Sequence, residues 1–317
     1  VPELSEETRR RIESLRPLVP DLLAERGISE ASKVCNFLAV ALRLRPMALT
    51  YLPAEMPGGA KMGEAMDRYY LEHHEPPGGG LLSKLGLGRK AAANKQAELS
   101  AKRKTLDAAY NQVVAPSPAY VAHLNWLDRM ALDPLQIKRR PTLREMYIYA
   151  DREDRVRLLA LEDAAAHSRG RPTTGADRDP NQAIIEYVYG AEFDRDYVLG
   201  LGKLLGYPDC CSVRYAEDRL RGQNVEQRAY EQISEAHESG KSIDVHAYFV
   251  KDFFPCTPGC PAAISRGEEF EAAFALLDGE VRDLYAGALY DSFELAQSYP
   301  LVIQQHRQRL EEATRRR

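Results

Sequence analysis

Leu205-Gly206-Tyr207-Pro208-Asp209-Cys210-Cys211-Ser212-Val213-Arg214-Tyr215-Ala216-Glu217-Asp218-Arg219 places a Gly-Tyr-Pro turn directly ahead of a run with helical spacing. Glycine and proline interrupt regular structure, and Asp209 is suited to cap a helix behind them, so this stretch predicts a helix over Cys210–Arg221. The same reading extends outward to helices at Asp194–Leu205, Asn224–Glu238, Pro261–Leu277 and Glu280–Gln297. Strand patterns are few: Met-Tyr-Ile-Tyr at 146–149 and Ala-Ile-Ile-Glu-Tyr-Val-Tyr at 183–189. Many helices with few, scattered strands predict an α+β protein, predominantly helical, not a doubly wound sheet.

Toward the N-terminus, Ser5 is the expected cap of a first helix with Glu6 and Glu7 in its positive first turn. Pro20 opens a second short helix, and Ser29 caps a third whose apolar set Val34, Phe37, Leu38, Ala41 and Leu44 continues until Pro46. Cys35 falls within that apolar set and reads as a small buried side chain. Between Met47 and Gly80 prolines and glycines recur, and His73-His74-Glu75-Pro76-Pro77-Gly78-Gly79-Gly80 reads as a linker. Adjacent histidines point apart on regular backbone, so His73 and His74 are not a metal pair. Asp151 caps a further helix through Val156, Leu159 and Ala166, and a polar loop occupies Gly170–Asn181. The expected division is an N-terminal helical region 1–75, a linker with a basic amphipathic helix 76–141, and a cysteine-bearing α+β domain 142–317.

The chain has 317 residues, a formal net charge of −4 and 43 Lys and Arg against 47 Asp and Glu. That balance speaks against a broadly basic nucleic-acid-binding protein. No apolar run approaches the roughly 20 residues of a membrane span, and no secretory layout opens the sequence, so no membrane partner and a cytoplasmic location are expected. One basic stretch stands apart. Lys84, Arg89, Lys90, Lys95, Lys102, Arg103 and Lys104 face only Glu98 among carboxylates, with Leu99, Leu106, Tyr110 and Val113 as an apolar stripe. Nucleic acid could contact Lys84–Lys104, although a solvated charged face is the favoured reading and no interleaved aromatics offer stacking.

Five cysteines occur, four of them in two close pairs. The second pair lies in Phe253-Phe254-Pro255-Cys256-Thr257-Pro258-Gly259-Cys260-Pro261, where Pro261 fits the first position of a helix and Cys260 its cap. Both pairs thus fall at helix N-termini, where the helix dipole favours anions and thiol pKa values are expected to fall. Cys210, Cys211, Cys256 and Cys260 are therefore the candidate ligands of one thiolate site. Iron–sulfur, zinc and dithiol chemistry all remain open. Neighbouring helical side chains diverge by about 100°, which suits two irons of a cluster better than one zinc ion. His246 is a further candidate ligand, able to replace one vicinal cysteine at zinc or to act as acid or base. Arg214, one turn beyond the vicinal pair, is expected to pair with Asp218 or Glu217. Gly200-Leu201-Gly202-Lys203-Leu204-Leu205-Gly206 lacks the ending of a phosphate loop and reads as packing.

The paired cysteines have some similarity to the Cys-Cys … Cys-x-x-Cys pattern of iron–sulfur domains in heterodisulfide-reductase-like proteins, but the second spacer here is three residues. The elements Gly206-Tyr207-Pro208-x-Cys210-Cys211 and Pro255-Cys256-x-x-x-Cys260 more closely resemble a prokaryotic family, domain of unknown function 483, over the C-terminal part only. That resemblance implies that the four cysteines belong together and implies no activity. An enzyme or electron-transfer protein acting on an unknown small molecule or redox partner is the favoured class. The alternatives are a nucleic-acid or protein binding module with a structural metal, and a thiol–disulfide redox protein.

Overall fold

A computed structural model describes residues 4–74, 88–140, 142–168 and 194–315. The linker at 76–80, the loop at 170–181 and the strand at 183–189 lie outside the described residues. The protein is α+β and mostly helical, with one small antiparallel sheet of three strands.

By contact the chain groups into two units: Val1–Leu23, Glu30–Ala48 and Tyr149–Arg317 in the first, Ala24–Ser29 and Leu49–Ile148 in the second. The N-terminal helices thus share a unit with the cysteines, whereas the sequence suggested segments 1–75, 76–141 and 142–317.

In the first unit, α1 (Glu6–Leu15) starts where Ser5 Oγ accepts the Thr8 N–H at 3.1 Å. A 3-10 turn containing Pro17 leads into α2 (Val19–Ala24). Then α3 (Glu30–Ser32), a π-helical segment Lys33–Leu38 and α4 (Ala39–Ala41) form one continuous rod. The apolar spacing predicted an ordinary helix; the wider π turn instead buries Val34, Cys35, Phe37 and Leu38 together. Cys35 is buried, and desolvation lifts its thiol to about pKa 11.

The second unit holds α5 (Gly59–His73), α6 (Gly88–Val113) and α7 (Pro118–Arg129). Its sheet consists of β1 (Met47–Leu52), β2 (Asp133–Arg140) and β3 (Leu143–Tyr149) in the order β1-β3-β2, apart from the end residues of β1 and β3 that count with the first unit. The broken pattern over Met47–His74 concealed β1 and α5. His73 and His74 stack on Tyr69 and Tyr70 one turn earlier.

Among its described residues, the first unit further holds α8 (Arg152–Ser168), α9 (Arg195–Leu204), α10 (Asp209–Leu220), α11 (Val225–Glu238), α12 (Pro261–Leu277) and α13 (Gly279–Arg315). On α8 the predicted apolar face is displaced. Val156 and Leu159 are exposed, and Leu158 and Ala165 are buried instead. The last helix runs past Gln297 and through Pro300. Its buried face joins Tyr285 to Phe270 and Phe274 of α12, and Tyr285 Oη donates to Phe249 O at 3.0 Å. Phe270 also meets Phe249, which packs on Phe253, and Phe253 in turn touches Tyr207 ahead of the first cysteine pair.

Candidate metal centre

Three residues between α9 and α10 aim the first cysteine pair. Gly206 has φ +74°, in the left-handed region that glycine adopts without strain. Its N–H donates to Lys203 O at 3.1 Å, and the Tyr207 N–H donates to Gly202 O at 2.8 Å. These two bonds form a Schellman end to α9. A Cβ at Gly206 would also lie 2.9 Å from Arg45 Cβ. Tyr207 then turns inward against Phe253, ring centroids 4.8 Å apart. Pro208, extended at φ −59° and ψ 138°, becomes the N-cap of α10, and Asp209 is its first residue instead of its cap. This places Cys210 and Cys211 in the first turn, as the sequence predicted.

The second pair is positioned by the turn after Pro255. Cys260 is the N-cap of α12 and Pro261 its first residue. The Cys256 N–H donates to Cys211 Sγ at 3.4 Å, tying the two turns together directly. Arg228 and Gln232, both on α11, secure the carbonyls of this turn. Arg228 Nη1 donates to Pro255 O at 2.9 Å, and Gln232 Nε2 donates to Cys256 O at 3.0 Å.

The sulfurs converge. Cys260 Sγ lies 3.6 Å from Cys210 Sγ and 3.6 Å from Cys211 Sγ, and the vicinal sulfurs are 3.9 Å apart. All four donor atoms fall within 4.8 Å of one another. The divergence expected of neighbouring helical residues does not separate the vicinal pair. In the first turn no preceding turn crowds the side chains, so both sulfurs can rotate to one side. Cys211 and Cys260 are buried, Cys256 is half-buried and Cys210 is exposed, so the group opens to solvent on the Cys210 side.

Electrostatics set Cys211 and Cys256 apart from Cys260. Burial raises Cys211 strongly, and burial together with the Cys260 thiol lifts Cys256 to about pKa 11. Desolvation here outweighs the helix-terminus effect expected from the sequence. At Cys260 burial also opposes ionisation, but hydrogen bonds from the Ala263 N–H and from the neighbouring thiols prevail and lower its pKa. Four soft sulfurs with these separations fit a thiolate-preferring metal ion.

The structure does not bring His246 into this group. Its Nδ1 lies 2.7 Å from Asp244 Oδ1 and its Nε2 lies 2.8 Å from Glu271 Oε2, so both ring nitrogens are engaged by carboxylates. Arg214 donates to Asp218 Oδ1 at 2.9 Å. Asp218 is fully buried, however, and its other oxygen lies 2.6 Å from Arg228 Nε, so one carboxylate links a partly exposed arginine to a buried one. The burial of Asp218 and the part played by Arg228 are what the sequence did not reveal. Two charged residues at helical spacing on polar helices give no sign of burial before the helices are paired.

The fold and site define a mostly helical α+β protein carrying a compact group of four cysteines. Residues 182–275, the stretch that contains all four, match the model of a family described as "Protein of unknown function (DUF483)". The Gly-Tyr-Pro-x-Cys-Cys and Pro-Cys-x-x-x-Cys elements fall inside that stretch. No curated protein and no solved structure matches the chain. Among the described residues no helix is long and apolar enough to cross a membrane.

Proposed function

We propose that Cys210, Cys211, Cys256 and Cys260 hold one zinc ion as a structural centre. The observation that supports it is the spacing of the sulfurs. A tetrahedron with metal–sulfur bonds of about 2.3 Å has edges of about 3.8 Å. The separations among Cys210, Cys211 and Cys260, 3.6, 3.6 and 3.9 Å, bracket that edge, and Cys256 Sγ lies within 4.8 Å of all three. An iron–sulfur cluster distributes its thiolates over separate irons, which sets sulfurs on different irons wider apart than those sharing one ion. The vicinal sulfurs are turned together, so side-chain divergence does not favour a cluster.

Four protein ligands complete a tetrahedral shell and leave no open position for substrate, which is the arrangement of a structural site. When bound, the ion supplies the positive charge that keeps the buried thiols ionised. The chain's own residues do the rest. Arg228 and Gln232 fix the carbonyls beside Cys256, Cys256 N–H donates to the Cys211 sulfur, and Pro208 and Pro261 start the two helices that present the cysteines. In this reading the centre ties the starts of α10 and α12 together, and the protein is a zinc-stapled module.

Anaerobic purification followed by elemental analysis and an absorption spectrum tests the proposal. One zinc per chain in colourless protein is expected, and brown protein with iron and acid-labile sulfide overturns it. Metal-free protein that takes up no added zinc also overturns it and favours dithiol chemistry.

A further inference from the structure

The whole-chain charge conceals a division. The second unit contains 15 Lys and Arg against 11 Asp and Glu, a net of +4 within a chain of net −4. The excess is concentrated where two separate basic stretches meet. On α6, Arg103 and Lys104 are exposed and make no ion pair among the described residues. From β2, Lys138 reaches Asp107 of α6 and forms an ion pair there. From β3, Arg144 lies over the Tyr110 ring at 3.7 Å and donates to Asn111 Oδ1 at 3.1 Å.

Helical geometry makes these one row. At about 100° per residue, positions 100, 103, 104, 107 and 111 share a single face, and Glu98 falls on the opposite side. Ser100, Arg103, Lys104 and Asn111 are exposed. From Lys104 to Asn111 the row covers about 10 Å of helix axis at 1.5 Å per residue. Four cations and one carboxylate along it leave three positive charges.

We propose that this face, formed by Arg103, Lys104, Lys138 and Arg144, binds the phosphate backbone of a nucleic-acid duplex. The class of partner is set by the groups that accompany the charges. A single strand is usually held by stacking on exposed aromatics, and Tyr110, the aromatic of this face, is buried beneath Arg144. A membrane surface would need apolar side chains to insert. None of the exposed large apolar residues among those described lies on α6, β2 or β3. A straight row of cations on a rigid helix and hairpin matches a regular line of phosphates, with about one duplex charge per 1.7 Å of axis. The binding is sequence-independent, because no group of the row is arranged to read base edges.

The test is fluorescence anisotropy with the full chain and labelled 20-base-pair duplexes of DNA and of RNA, across a salt series. Three net charges predict a slope of log affinity against log salt of about −2.7, at about −0.9 per phosphate neutralised. The double variant Arg103→Glu/Lys104→Glu turns the net charge of the row from three positive to one negative, so the slope should fall to near zero and the affinity at low salt by at least about tenfold. Lys203→Glu/Lys241→Glu, which reverses two exposed charges of the first unit, should bind like the unaltered protein. Circular dichroism confirms that both variants are folded. The duplex that binds more tightly distinguishes DNA from RNA as the source of the phosphates. The proposal is overturned if neither duplex binds at low salt, or if both double variants weaken binding equally. Binding to the single strand or to anionic vesicles in preference to duplex also overturns it.

Discussion

Arg228 Nε lies 2.6 Å from Asp218 Oδ2, with both side chains buried, and Arg228 Nη1 continues to Pro255 O at 2.9 Å. One guanidinium thus joins α10, which begins with Cys210 and Cys211, to the turn that presents Cys256. Removing Asp218 leaves the Arg228 charge buried and unpaired, which costs about 3–5 kcal/mol, whereas removing Arg228 leaves Asp218 still paired with Arg214 and should cost less. Arg228→Met and Asp218→Leu should each lower the urea midpoint by a corresponding amount. The double variant should be less destabilised than the two single changes predict together, because the one charge it leaves without its partner, Arg214, is partly exposed. Strict additivity in the unfolding curves would show that the two residues act independently.

Loss of the carbonyl contacts should also be felt at the cysteines. Gln232→Ala removes the 3.0 Å bond to Cys256 O from a half-buried position without orphaning a charge. Groups that orient metal ligands typically contribute about 10–100-fold in affinity. A drop in zinc affinity of that order is expected by chelator competition, and unchanged affinity would separate the turn from the centre.

Cys211 and Cys35 are both buried thiols, and they should respond differently to serine. With the proposed zinc centre, Cys211→Ser should remove the stoichiometric metal and destabilise the region, since metal binding is coupled to folding. Cys35→Ser should leave the zinc content at one per chain while lowering stability, because it places a hydroxyl among Val34, Phe37 and Leu38. Elemental analysis beside thermal unfolding separates the two outcomes.

Gly267 on α12 allows the 3-10 turn Val245–Tyr248 to approach closely. A Cβ there would lie 2.3 Å from His246 O and 2.8 Å from His246 Cα. Those are backbone atoms and cannot rotate away. Gly267→Ala should therefore be clearly destabilising despite alanine's better helix propensity. Gly287→Ala on α13, with nothing within 4 Å, should stabilise by about 0.5–1 kcal/mol. Thermal denaturation of the two variants should show shifts of opposite sign.

His246 gives a pH signature. Burial disfavours its charge, but hydrogen bonds to Glu271 and Asp244 outweigh that and raise its pKa above 6.5. A group whose folded pKa is raised contributes stability that is complete below its unfolded value and is lost as pH rises through the folded one. The stability difference between the unaltered protein and His246→Gln should be constant below about pH 6 and shrink as pH rises above 6.5. A difference that grows with pH would mean the imidazole is held neutral.

The sequence was sufficient for features that depend on local chemistry. Gly206 with Tyr207 and Pro208 ends one helix and starts the next, Pro261 starts α12 behind Cys260, and Ser5 caps α1, because each acts through backbone groups only a few residues away. The α-rich class was legible for the same reason, whereas the grouping of the four cysteines was implied by the resemblance of their two elements to one family. Features that depend on partners distant in sequence were not. That the vicinal sulfurs turn to one side, that His246 is held by two carboxylates, and that Val156 and Leu159 face solvent are all decided by neighbouring elements. The same holds for the burial of Asp218 and Arg228, and for Lys138 and Arg144 lying along α6 beside Arg103 and Lys104. Spacing along one helix specifies which residues share a face, but only the packing of other elements determines which face is buried, which charge is paired and which row of charges remains open to solvent.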